Sequence, residues 1–169
     1  MMQRHTQVTI AVALGAASCA RGPDAGGSPT AEQDSVWLAP PPEDVHGPDT
    51  PWDEMSHEQQ AQYMSEHVVP TMAPLFRHFD ESRFAEVNCA TCHGPNGRDN
   101  GFHMPNPGLP ELPRPGSPQW EEMAQEQYQM FRFMSERVQP TMAALLGKPN
   151  YDPLTREGFA CFECHTRAD

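Results

Sequence analysis

Residues 63–75 read YMSEHVVPTMAPL, and residues 133–145 read FMSERVQPTMAAL; nine of the thirteen paired positions are identical. The likeness extends in both directions. PWDEM at 51–55 answers QWEEM at 119–123, and CATCH at 89–93 answers CFECH at 161–165. The offset between the copies grows from 68 to 70 to 72, so the second copy carries two small insertions. Such self-similarity predicts a chain built from two copies of one supersecondary unit. Unit one is expected over 50–94 and unit two over 118–169, with a linker at 95–117 between them.

Each unit is expected to open as a helix. Thr50 and Ser117 are suited to capping, each is followed by proline at the first helical position, and acids fill the first turn. Met64, Val68, Met72, Leu75 and Phe79 recur at spacings of three and four, as do Met130, Met134, Val138, Met142 and Leu145. That pattern predicts one apolar stripe per unit. Pro70 and Pro140 stand at the same point of both stripes. Each lacks a backbone donor and is expected to kink or restart its helix. Gly147 followed by Pro149 is expected to end the second helix. In both units a turn then leads to a short segment, expected as helical, that holds a cysteine pair.

Seven prolines and five glycines between 94 and 118 exclude helix and central strand from the linker. Its apolar residues Phe102, Met104, Leu109 and Leu112 favour packing in extended form over an apolar surface. The fold class expected is therefore mostly α, with no substantial sheet.

The 169 residues are only 37% hydrophobic and include 19 prolines, a lean supply for an ordinary core. A fold of this composition gains from something other than side chains to pack around. The formal net charge of −12 argues against nucleic acid or an anionic membrane surface as partner. A partner with a basic docking face is the expected complement.

Residues 1–19 read as a secretory signal, with Arg4 and His5 followed by the apolar run VTIAVALGAA. That run is too short for a permanent span, which takes about 20 apolar residues. The segment ends GAASC, which resembles the lipobox of bacterial lipoproteins with Ala16 in the usual leucine position. Lipidation is expected at Cys19. Residues 20–49, rich in Gly, Pro, Ser and acid, read as a flexible tether.

The other four cysteines fall in the two C-x-x-C-H motifs. Two C-x-x-C elements suit a tetrathiolate zinc site, one suits a redox dithiol, and four cysteines suit a disulfide framework. None of these explains a histidine directly after the second cysteine in both copies. Covalent haem c attachment does. Two intervening residues on a tight turn let both thiols reach the vinyl groups on one edge of a porphyrin, and the next residue lies beneath the iron. Cys89, Cys92 and His93 are thus expected to hold one haem, and Cys161, Cys164 and His165 a second. His93 and His165 are the expected proximal ligands. Two flat apolar cofactors would also supply the missing core, and flexible methionines pack well against them.

For the distal face, no histidine outside the motifs recurs: His67 pairs with Arg137 and His78 with Lys148. Methionine does recur. Met72 and Met142, each in PTMA, are the expected distal ligands. Met64 and Met134 repeat as well, and His67, His78, His103 and Met104 are further candidates.

The order helix, methionine, turn, then helix with C-x-x-C-H resembles the haem-binding segment of the reaction-centre tetrahaem cytochrome subunit and its relatives. The resemblance implies Met72 as distal ligand for the haem on Cys89, Cys92 and His93, and Met142 for the haem on Cys161, Cys164 and His165. The expected function is that of an exported dihaem c-type cytochrome of the periplasm or cell envelope, relaying single electrons. The rival readings are a dihaem peroxidase-like enzyme, with His103 or Glu86 as acid–base group, and a haem-based sensor or structural subunit.

Overall fold

Pro70 and Pro140 shape both helical arms, and they do it in the same way. The computed structural model describes residues 45–168. The expected signal segment, Cys19 and the tether as far as residue 44 lie outside the described residues. Helix α1 (His57–Tyr63) passes through a π-helical turn, Met64–Val68, into α2 (Val69–Phe79). Helix α3 (Cys89–His93) carries the first motif, and α4 (Pro118–Glu126) opens unit two. Helix α5 (Tyr128–Phe133) passes through a second π turn, Met134–Val138, into α6 (Gln139–Leu145). In each π turn the N–H just before the proline reaches back five residues: Val69 donates to the Met64 carbonyl and Gln139 to that of Met134. An α-helix would set the proline ring against a carbonyl four residues back. The wider turn makes room, and the chain continues helical. The expected kink is therefore realised as a π turn in both copies.

The two arms pack reciprocally. Helix α2 lies on the π turn of unit two, and α6 lies on the π turn of unit one. This exchange is the contact pattern of a twofold pair, here within one chain. The core follows from it. Val68, Met72 and Phe76 of unit one meet Phe133 and Leu145 of unit two, and the remaining stripe residues of both units pack against them. Phe133 stacks on Phe79 with centroids 4.3 Å apart and meets Phe76 edge-on at 5.2 Å. A second cluster joins Ala143, Leu146 and Phe159 to Trp52, Met64, Met142 and Cys164.

The symmetry breaks at Tyr63, the counterpart of Phe133. Its hydroxyl lies 2.8 Å from the Leu145 carbonyl and 3.0 Å from that of His46. Leu145 ends α6, so its carbonyl has no helical partner; Leu75, its counterpart, sits a full turn inside α2. One copy therefore has use for a hydroxyl at this position and the other does not. Burial raises the Tyr63 pKa above the usual phenol value, which keeps the donor protonated. Tyr63→Phe is expected to cost about 1 kcal/mol in denaturant unfolding.

Ends of helices fall partly as expected. Ser117 accepts from the Trp120 N–H at 3.2 Å, with Pro118 next. Gly147, at φ +63°, closes α6. Its N–H donates to the Ala144 carbonyl at 3.0 Å, and that of Lys148 to Ala143 at 2.8 Å, a Schellman pattern. Thr50 is not a cap. Residues Trp52–Glu54 form a separate 3-10 turn, and α1 is capped by Ser56, which exchanges bonds with Gln59 in a capping box.

Packing begins earlier than residue 50. Val45 touches the core, and a Cβ on Gly47 would lie 2.5 Å from the Gly147 Cα. Gly47→Ala is expected to push this segment off α6 at a cost of about 1–3 kcal/mol, read as faster proteolysis near residue 47. Among the described residues there is no sheet, only isolated bridges, so the described fold is mostly helical. None of its helices is long and apolar enough to cross a membrane.

Candidate functional site

Each motif sits on one tight turn. In unit one, Asn88 accepts from the Ala90 N–H at 2.9 Å and the Thr91 hydroxyl accepts from the Asn88 N–H at 3.0 Å, which starts α3 at Cys89. Gly94, at φ +71°, ends it at His93. In unit two a 3-10 turn, Cys161–Glu163, is closed by the His165 N–H on the Cys161 carbonyl at 2.9 Å. Residues three and four apart on such turns share a face. In the α-helical turn of unit one this puts Cys89, Cys92 and His93 on one face, and in the 3-10 turn of unit two it puts Cys161 and Cys164 on one face.

The linker holds the two motifs together. The backbone N–H of Asn106 donates to the Cys164 carbonyl at 2.9 Å, and its side-chain Nδ2 donates to the Cys92 carbonyl at 3.0 Å. The Gly108 N–H fixes the remaining oxygen at 2.8 Å, and the residue is only 7% exposed. Further along, Leu112 donates to the Thr166 carbonyl and accepts from the Ala168 N–H, both at 2.9 Å. The linker therefore does pack, but as turns and parallel bridges against the C-terminal segment rather than over an open apolar face.

The histidines differ in their second nitrogen. His165 Nδ1 lies 2.9 Å from the Pro110 carbonyl. A carbonyl only accepts, so Nδ1 carries the proton and Nε2 is left with its lone pair, the form that binds iron. His93 is half-buried, with the Phe102 ring edge-on at 5.3 Å. Burial lowers its pKa, and the Phe102 backbone partly opposes this. Phe102 adopts φ +57°, costly for a bulky side chain, by about 1–2 kcal/mol. It is held there by its N–H on the Gly97 carbonyl at 2.7 Å and by stacking on His57.

Three of the four motif sulfurs, those of Cys92, Cys161 and Cys164, lie in partly buried surroundings, while Cys89 is exposed. Burial, and then the neighbouring Cys89, push the Cys92 thiol up to about 11. Burial, then Cys92, Glu163 and Cys161, push Cys164 up to about 12. Burial also raises Cys161, whose Sγ contacts the Gln139 amide oxygen at 3.9 Å. Such surroundings favour neutral sulfur at these three positions, as a thioether is. All four thiols are free, and among the described residues no three His, Cys, Asp or Glu side chains converge as ligands of one ion.

Among the described residues three buried side-chain polar atoms have no hydrogen-bond partner: His93 Nδ1, Thr141 Oγ1 and Thr166 Oγ1. Each belongs to an expected iron ligand or to the residue beside one, Met142 and His165 in the two latter cases. Buried polar groups are normally satisfied, so these orphans fit a site completed by a polar-edged cofactor. The residues present therefore fit haem.

Of the methionines, Met72 is 3% exposed and packs at the junction of the two units. Met142 is half-buried and touches both clusters, the second of which includes Cys164; Met64 does the same. Met134 packs against the first cluster only, and Met104 is half-buried in the linker. His67, His78, His103 and Glu86 are exposed. Sequence reasoning missed Asn106, Phe102 and the Pro110 carbonyl. Asn106 has no counterpart in the duplication, and a backbone acceptor leaves no trace in the identity of its residue.

Comparison with protein-family models, with curated proteins and with solved structures gave no match for this chain.

Proposed function

We propose that the chain is an exported dihaem c-type cytochrome that relays single electrons between redox partners. The observation that carries this reading is the pairing of the duplicated C-x-x-C-H motifs across Asn106, within bonding reach of both the Cys92 and Cys164 carbonyls. When bound, each haem iron cycles between ferric and ferrous states and so takes up and releases one electron at a time. Cys89, Cys92, Cys161 and Cys164 anchor the two groups as thioethers. His93 and His165 supply proximal nitrogens, and Met72 and Met142 the distal sulfurs. A methionine on each distal face saturates the iron and favours electron transfer over substrate chemistry.

The acidic balance steers the protein to a partner with a basic docking face. The leader and Cys19 direct it to the cell envelope as a lipoprotein of the periplasmic space. A mass and optical spectrum of the mature protein test the proposal: two covalent haems with low-spin bands are expected. Colourless protein with four reactive thiols would refute it. A high-spin ferric band with rapid peroxide turnover would instead favour the peroxidase-like enzyme.

A further inference from the structure

We infer that Asn106 is a positioning residue that clamps the two haem sites into one electronically coupled pair. The inference rests on the dihaem reading and deepens it. Asn106 is the one residue described here that bonds to the second cysteine of both motifs, by Nδ2 to Cys92 at 3.0 Å and by N–H to Cys164 at 2.9 Å. Two hydrogen bonds and the width of one asparagine place those carbonyls no more than about 11 Å apart. Groups held on these two cysteines would share one anchored backbone, and Asn106 would present them to a partner as a single redox unit.

The clamp is built to hold still. Asn106 is 7% exposed, and its oxygen is fixed by the Gly108 N–H at 2.8 Å. Gly94, which ends the first motif, admits it closely: a Cβ there would come within 3.3 Å of Nδ2. Main-chain pairing of Asn106 with His165 sets the register of the second motif at the same point. A linker that merely joined two units would need none of these contacts.

Circular dichroism in the Soret region tests the clamp on the mature holoprotein, because two coupled porphyrins give a bisignate band and isolated ones do not. The wild type is expected to show it. Asn106→Asp keeps the backbone bond to Cys164 and the acceptor for Gly108 but loses the donor to Cys92. It is expected to keep both haems by mass and to lose most of the bisignate amplitude, as is Asn106→Ala. Leu112→Ala, at the other end of the linker where the bonds are purely backbone, is expected to retain it. A full bisignate band in both Asn106 variants, with both haems present, would overturn the clamp. Should the variants fail to mature, pulsed electron paramagnetic resonance on the wild type decides: a resolved iron–iron dipolar coupling supports the pair, and its absence overturns it. A wild type without haem would overturn the dihaem reading itself, whereas two haems without coupling would overturn only this inference.

Discussion

Phe133→Ala is expected to destabilise the fold by about 3–5 kcal/mol in denaturant unfolding, more than truncation of any stripe residue. Phe133 is 2% exposed and stands where the two units cross. Its ring stacks on Phe79 and meets Phe76 edge-on, so both principal contacts belong to the other unit. Truncation therefore opens a cavity on the pseudo-twofold contact itself, where neither helical arm can collapse without shifting its π turn. Tyrosine is the informative alternative. Its ring would preserve the packing, but the hydroxyl would enter a core that has no free carbonyl corresponding to that of Leu145, at a cost of about 1–3 kcal/mol. The reciprocal change Tyr63→Phe is expected to cost less, because Tyr63 stands at the rim. A result in which both exchanges cost the same would refute the structural asymmetry between the copies.

That asymmetry shows how far the sequence could be read. The duplication, the two stripes, the Ser117 cap and the Gly147 stop were all legible, because each rests on local chemistry or on self-comparison. Pro70 and Pro140 marked where the helix must yield, but nothing in the residues says whether a chain yields by kinking, breaking or widening by one residue. Packing between the arms settles that. The Ser56–Gln59 capping box is legible as S-x-x-Q, but Thr50 offers the same capping chemistry with a proline after it, and local sequence does not choose between them. The motif residues suggest a cofactor site by pattern alone. Their mutual placement was not legible, because Asn106 acts through one side-chain amide and one backbone N–H across a linker whose composition speaks only of turns.

Removing one attachment site at a time is expected to give the largest functional effect and to separate the two redox centres. Cys89→Ala with Cys92→Ala should leave a single haem on unit two, and Cys161→Ala with Cys164→Ala a single haem on unit one, each counted by mass. The two single-haem proteins are then expected to differ in midpoint potential, with unit two the lower. The sign follows from the second nitrogen of each histidine. His165 Nδ1 donates to the Pro110 carbonyl at 2.9 Å, which makes its Nε2 more basic and favours the ferric state. His93 Nδ1 has no hydrogen-bond partner in the structure. That favours the ferrous state and raises the potential. Measuring the single-haem variants matters, because in the intact pair each iron also feels the charge of the other. Equal or inverted potentials in the two variants would mean that the distal face, and not the proximal hydrogen bond, sets the order.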